Sequence, residues 1–234
     1  MERHFEQELE KLNKRILKMG NLVYDQIHNA FEALLTNNIE LAAQVVGNDN
    51  KVDKLDVKID KLCQRIFALT QPVATDLRLI MSALKMNNDL ERLGDLAVNI
   101  SAKVEGVSDY KEILTDLHVD ELANMADLIV KDVITILNTR NTTFVKDIFL
   151  SASAIEEKVQ AISSRILDEM MHKTEVIVVA TNLMIILTQI DRIAGYSTNI
   201  AESVVFIVDG KMIKHKKLFK PGSEESGEDS VTEE

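Results

Sequence analysis

The sequence predicts an all-α protein made of two tandem, pseudo-symmetric three-helix bundles, with about six long helices and a disordered acidic C-terminal tail. Apolar residues recur every three or four positions along most of the 234 residues, which is typical of helices packed in a bundle. The chain has 8 Gly and 2 Pro, too few for the many tight turns of an all-β protein. A motif in the first half recurs in the second, which indicates a duplication.

The first half contains three helical segments separated by recognisable breaks. The apolar spacing covers residues 5–30, resumes over 45–69 and returns over 79–100. Pro72 ends the second segment, because proline disfavours the helical conformation for the residue before it. The break before the third segment is short, so the second and third helices should pack antiparallel.

The repeated motif defines the domain organisation. The stretch 91–100 recurs as 191–200, and its arginine and asparagine return in register with the apolar residues. A shared apolar spacing alone would not preserve these two polar residues. We therefore predict a first three-helix repeat at 1–108, a second at 109–216 and a disordered acidic tail at 217–234.

Composition excludes several classes of protein. A net charge of −11, an aromatic content of 4% and the absence of Trp argue against nucleic acid as a partner. The single Cys63 cannot form an intramolecular disulfide. The N-terminus is charged and the uninterrupted apolar runs are short, so we expect a cytoplasmic protein that does not insert into the membrane.

Acidic residues follow one stripe on each of two neighbouring helices. Their spacing of three or four residues stacks the side chains on a single helical face. The first stripe consists of Asp49, Asp53, Asp56 and Asp60, and the second of Asn88, Glu91, Asp95 and Asn99.

The antiparallel hairpin brings these two stripes to the same level. Like charges repel, so the stripes either point into solvent or enclose a cation. Clustered oxygen ligands suit hard ions such as Mg²⁺, Mn²⁺, Ca²⁺ and iron. The mid-helix Gly94 costs about 1 kcal/mol relative to Ala, which a close approach between helices would repay.

The second repeat carries fewer acids. Glu156, Asp191, Asn199 and Glu202 remain, but Gly195 stands where the first repeat has an aspartate. We therefore predict a second, degenerate metal site there.

Two sequence motifs resemble the PhoU family of phosphate-uptake regulators. These are Thr-Gln-Pro-Val-Ala-Thr-Asp-Leu-Arg at 70–78 and Asp-Leu-Glu-Arg-Leu-Gly-Asp-Leu-Ala-Val-Asn-Ile at 89–100. The resemblance covers residues 1–216. It implies two three-helix bundles in a cytoplasmic, often dimeric protein with no enzymatic activity. It also implies a negative role in phosphate signalling, linking the ATPase subunit of a phosphate ABC transporter to a sensor histidine kinase.

The resemblance also implies metal binding. Members of the family bind metal ions through E(D)xxxD motifs, which match Asp49 to Asp53 and Glu91 to Asp95 in this sequence. The implied ion is divalent or trivalent: iron, manganese, magnesium, zinc or calcium. These are the residues that the stripes select, with Asp56 and Asn99 beside them.

Two other functions are compatible with the sequence. A carboxylate-bridged di-metal enzyme would use two Glu-x-x-His pairs in a helical bundle, for which Glu169 with His172 is the one full match and Asp25 with His28 a looser one. The second alternative is an accessory protein of a different phosphate permease.

Overall fold

The computed structural model describes residues 2–213, apart from the side chains of 2–4 and 109–113. Over this range the chain forms eight α-helices and no strands. Short 3-10 helices occupy Glu105–Tyr110, Thr142–Phe144 and Thr174–Val176. The α-helices are α1 (Glu2–Thr36), α2 (Ile39–Asn48), α3 (Asn50–Leu69), α4 (Ala74–Ser101), α5 (Lys111–Asp116), α6 (Val119–Thr139), α7 (Val145–His172) and α8 (Ile177–Asp209).

This architecture confirms the predicted all-α fold with two tandem three-helix bundles. Helices α1, α3 and α4 form the first bundle, and α6, α7 and α8 form the second. The short α2 leads into α3 through Asp49, which keeps right-handed helical backbone angles. The predicted tail, 217–234, lies outside the described residues.

Polar residues and proline set the helix ends. Asn38 caps α2 by accepting a hydrogen bond from the Leu41 backbone N–H at 3.0 Å. Helix α3 ends at Leu69, three residues before Pro72, as the sequence predicts. Gly210 ends α8 with a φ of 69° and donates its N–H to Phe206, a conformation that favours glycine.

The two bundles pack against each other along two antiparallel helix pairs. Helix α4 lies against α8, and α1 lies against α6. In the second pair, Arg140 near the end of α6 donates to Asn13 on the first half of α1 at 2.6 Å, whereas His28 lies 3.1 Å from Asp127. A single apolar core therefore runs through both repeats.

Helix α8 is apolar enough in length and composition to cross a membrane. In this fold it contacts α4, α6 and α7, and residues such as Leu187 and Ile200 on it are fully or almost fully buried. Packing on several sides therefore accounts for its apolar composition.

Gly20 on α1 packs against side chains of α6. A Cβ on Gly20 would lie 3.1 Å from Ile134 Cδ1 and 3.2 Å from Leu137 Cδ2. Around Gly47 on α2, by contrast, a Cβ would meet no described atom within 4 Å. The first glycine sits in a packed interface and the second faces open space.

We predict that Gly20→Leu destabilises the protein by about 1–3 kcal/mol, because the larger side chain overpacks the α1–α6 interface. The matched change Gly47→Leu should be neutral or stabilising, since leucine favours a helix and finds room there. Urea unfolding followed by circular dichroism measures both. Equal effects of the two substitutions would contradict this view of the interface.

Candidate metal site on the α3–α4 hairpin

An apolar seam holds α3 against α4. Buried residues recur along the facing sides of the two helices, among them Val52 and Leu55 on α3 and Leu90 and Leu93 on α4. The chain turns back within residues 70–73, so the helices run antiparallel. The predicted acidic stripes flank this seam.

Asp49 lies where α2, α3 and α4 meet. Its side chain is partly buried, and burial together with the charges of Asp53 and Asp95 raises its pKa. The Gln26 amide lies beside it and partly opposes this rise. The structure thus brings the two predicted E(D)xxxD motifs together at Asp49.

Glu91 belongs to the same cluster. Its pKa is raised by burial and by the charges of Asp95, Asp56 and Asp53, and Arg92 acts in the opposite direction. Arg92 lies 3.5 Å from Glu91 and 3.4 Å from Asp95, and its side chain is half exposed. One arginine therefore offsets only part of the negative charge.

Asp56 is anchored from α4 by an amide that the sequence analysis missed. The buried Asn87 Nδ2 donates to Asp56 Oδ1 at 2.6 Å and to Asp60 Oδ1 at 3.1 Å. This contact favours the ionised form of Asp56, whereas burial and the Asp60 charge raise its pKa. The sequence offered one signal for this contact: Asn87 is a polar residue among the apolar positions of α4.

Gly94 permits the close helix approach that its position predicts. A Cβ there would lie 3.3 Å from Gln26 Oε1, 3.4 Å from Val52 Cγ1 and 3.6 Å from Asp49 Oδ1. Helices α1, α3 and α4 therefore converge on this glycine. Asn99 lies exposed about one turn beyond Asp95 on α4.

The oxygen donors of the cluster are of the type that hard cations prefer. In this structure, however, the acidic side chains are not arranged around one common point. Within the described residues, no group of three or more Asp, Glu, His or Cys is arranged to hold a metal ion. Asp53 is exposed and the Asp95 side chain is 41% exposed, so both can change rotamer. Metal binding at these residues stays a prediction.

The four residues of the second predicted site divide between two surroundings. Glu156 lies partly exposed on α7, and Asp191 lies exposed on α8. Asn199 and Glu202 instead face α4 of the first repeat. Their spacing puts Asp191, Asn199 and Glu202 along one side of α8, and periodicity does not show that α4 covers Asn199 and Glu202 while Asp191 stays exposed.

A buried polar cluster at the α4–α8 interface also escaped the sequence analysis. Asp89 is 4% exposed, and Asn199 donates a hydrogen bond to it. Glu202 is buried nearby, with an oxygen 3.6 Å from the Lys85 ammonium. Burial raises the pKa of Asp89 to about 6 and the Glu202 charge adds to this, whereas Lys85 and Asn199 lower it.

The two histidines considered for di-metal chemistry have other contacts. His28 pairs with Asp127 and stacks on Tyr24. His172 lies at the end of α7, where Nδ1 is 2.7 Å from the Asp168 carbonyl oxygen and the side chain is 69% exposed. Neither lies in a bundle interior, where the bridging carboxylates of such an enzyme are held.

The fold and site define a class: a duplicated helical protein with an acidic face on one hairpin. The model of the PhoU domain matches the chain twice, over residues 16–104 and 119–204. The chain therefore belongs to the PhoU family.

Similar proteins carry consistent names. The PhoU homolog of Aquifex aeolicus, a phosphate-specific transport system accessory protein, is 29% identical and covers 92% of this chain and 97% of its own. The accessory protein of Pseudomonas putida is 30% identical over 95% of this chain and 88% of its own.

Solved structures are similar to the whole fold. The crystal structure of PhoU from Pseudomonas aeruginosa has a TM-score of 0.82 and 27% identity, with 88% of this chain and 100% of that one covered. The phosphate transport system regulatory protein PhoU of Streptococcus pneumoniae has a TM-score of 0.80 and 25% identity, with 90% and 100% covered.

We predict that Asp89→Asn removes a pH-dependent loss of stability. Between about pH 4 and pH 6, an unfolded chain has ionised this aspartate, whose ordinary pKa is 3.8, whereas the folded protein still holds the proton. The free energy of unfolding therefore falls as pH rises through this window, by about 2 kcal/mol for this group.

Urea unfolding between pH 4 and pH 7, with EDTA present, measures this effect. The variant should show a flatter profile than the wild type over that interval. Parallel profiles would mean that Asp89 ionises equally in both states.

Proposed function

We propose that this protein is a cytoplasmic negative regulator of phosphate uptake and of phosphate-responsive signalling. Membership of the PhoU family supports this proposal, as do the names of its relatives, which are accessory or regulatory proteins of phosphate transport. The role is regulatory rather than enzymatic. It couples the ATPase subunit of a phosphate ABC transporter to a sensor histidine kinase.

Exposed apolar side chains at the tip of the α3–α4 hairpin support a role in protein contacts. A group of large apolar residues in solvent at one end of a bundle is typical of a protein interaction surface. The group consists of Leu69 (68% exposed), Val73 (69%) and Met81 (52%). The transporter, the kinase or a second copy in a homodimer would be recognised through helix surfaces of this kind.

We further propose that the acidic cluster binds a metal ion. The observation that carries this is the convergence of carboxylates from two helices, at which burial and mutual repulsion raise the pKa values of Asp49 and Glu91. Holding like charges partly out of water is costly, and a cation removes that cost. The ion would supply positive charge that fixes α3 relative to α4.

The ligands of this first site are oxygen donors. Such a set suits manganese, magnesium, calcium or iron, and zinc to a lesser degree. The proposed ligands are Asp49, Asp53, Asp56, Glu91 and Asp95, with Asn99 as a neutral donor. A second, weaker site would use Glu156, Asp191, Asn199 and Glu202.

We predict that Asp53→Asn combined with Asp95→Asn abolishes or strongly reduces metal content after purification. Without metal, the double variant should be slightly more stable than the wild type, because each removed like-charge pair is worth a few tenths of a kcal/mol. Added Mn²⁺ should raise the melting temperature of the wild type but not that of this double variant.

The control is Asp120→Asn combined with Asp168→Asn, which removes the same charge from exposed positions on α6 and α7. This control should keep the metal content of the wild type. Elemental analysis and thermal melts measure both quantities. Equal metal in the wild type and the Asp53, Asp95 variant would reduce the cluster to a solvated acidic face.

For the regulatory role, we predict that deleting the gene raises phosphate-responsive transcription in phosphate-rich medium. Unchanged transcription and uptake would contradict it. Co-purification of the transporter with the tagged protein distinguishes the phosphate-specific ABC transporter from a different phosphate permease.

A further inference from the structure

The two bundles differ in the length of their first helix. Helix α1 has 35 residues, whereas its counterpart α6 has 21 residues and begins at Val119. His118 directly before it has left-handed backbone angles, with a φ of 55°, so the helix does not extend further towards the N-terminus. The preceding residues form the short α5, which packs on α6 and on the 3-10 helix Glu105–Tyr110. One end of the second bundle is therefore built differently from the same end of the first.

Helix α1 shows what occupies this end in the first bundle. Its first turns bring Phe5 and Leu9 against the apolar core. Glu8, which lies between them in the sequence, forms an ion pair with Arg65 on α3. The end of the α3–α4 pair is thus covered by an amphipathic helix that carries an acidic residue beside its apolar side chains.

The corresponding arginine of the second bundle has a different neighbour. Gapless alignment of the two repeats pairs Arg165 with Arg65, and a buried isoleucine follows each of them. Lys158 on α7 reaches Glu121 in the first turn of α6 at 2.9 Å, so Arg165, about two turns further along α7, lies beyond the start of α6. Its guanidinium donates to the main-chain carbonyl of Asp116 at 3.1 Å, and within the described residues it forms no ion pair.

A cavity of about 510 Å³ opens beside this arginine. Its apolar lining comes from the end of α7, the start of α8 and the residue after α5, and includes Ile166, Val179, Leu183 and Leu117. The exposed Arg165, Glu169 and Lys173 also line it, and Lys173 pairs with Glu169 at 2.8 Å. Among the described lining residues, Arg165 is thus the cation available to an incoming carboxylate. The volume is in the range of binding cavities in proteins.

We propose that this cavity is a docking site for an amphipathic helix of a partner protein. The helix inserts apolar side chains between α7 and α8 and sets a carboxylate against Arg165, which is the arrangement that α1 provides in the first bundle. Apolar side chains four residues apart, with a glutamate next to them, are therefore the features that the partner needs. The apolar tip of the α3–α4 hairpin belongs to the other repeat, so this is a separate contact surface.

A peptide with the sequence of residues 2–17 is the probe, because it carries Glu8 between its apolar residues. Fluorescence anisotropy measures its binding to the full chain, and the wild type should bind it. Arg165→Glu should weaken binding about tenfold or more, since it brings two like charges together. A peptide with Glu8→Arg should recover affinity for that variant and lose affinity for the wild type.

Filling the cavity provides a second test. Ala180 lines the cavity, so the larger side chain of Ala180→Leu should occupy the open space and block the peptide. This variant should melt no lower than the wild type, because a side chain that fills a cavity does not overpack the core. The control is Arg192→Glu, which reverses an exposed charge of α8 outside the cavity and should leave peptide binding unchanged.

Failure of the wild type to bind the peptide would overturn the proposal. Equal binding by the wild type and Arg165→Glu would overturn it as well, because the arginine would then not select the carboxylate. Sedimentation of the protein alone tests a second copy as the occupant. A dimer that Ala180→Leu dissociates would place another copy of this chain in the cavity and contradict the assignment to a separate partner.

Discussion

The apolar seam between α3 and α4 imposes a constraint on the charges beside it. Burial of residues such as Val52 and Leu93 fixes the two helices against each other, and the acidic stripes next to the seam have to follow. Each carboxylate then lies in the field of the others and is partly shielded from water. Burial of the apolar seam stabilises the fold, and the repulsion between the acids offsets part of that stabilisation. A cation bound between the two acidic stripes would therefore hold α3 and α4 together more firmly.

Several helices carry buried polar side chains. Gln26, Asn87, Asp89 and Gln189 occupy positions where the helical spacing calls for an apolar residue. Asn87 anchors Asp56, and Asp89 lies against the second repeat. An apolar residue at any of these positions would pack with fewer unmet hydrogen bonds. The protein therefore has polar side chains between its packed helices as well as on its surface.

Much of this arrangement could be predicted from the sequence, because local signals decide it. Asn38, Pro72 and Gly210 end helices through their own backbone preferences, and Gly94 lies at a close approach as expected. The directions of Asn199 and Glu202 could not be predicted, because spacing gives the faces of a helix but not which neighbour each face meets. The contact of Gln26 with Asp49 was missed for a related reason: the spacing of Gln26 is that of a core residue, and only the packed structure brings its amide to the acidic cluster.

The apolar character of α8 has a consequence during synthesis. Helices α4, α6 and α7, against which it packs, all precede it in the chain and leave the ribosome earlier. This strongly hydrophobic helix thus emerges when the helices that it packs against have already been synthesised. It can dock on arrival, which shortens the time available for aggregation or for diversion into a lipid bilayer. Moving such a helix to the front of the chain would keep the same final packing but lose this protection.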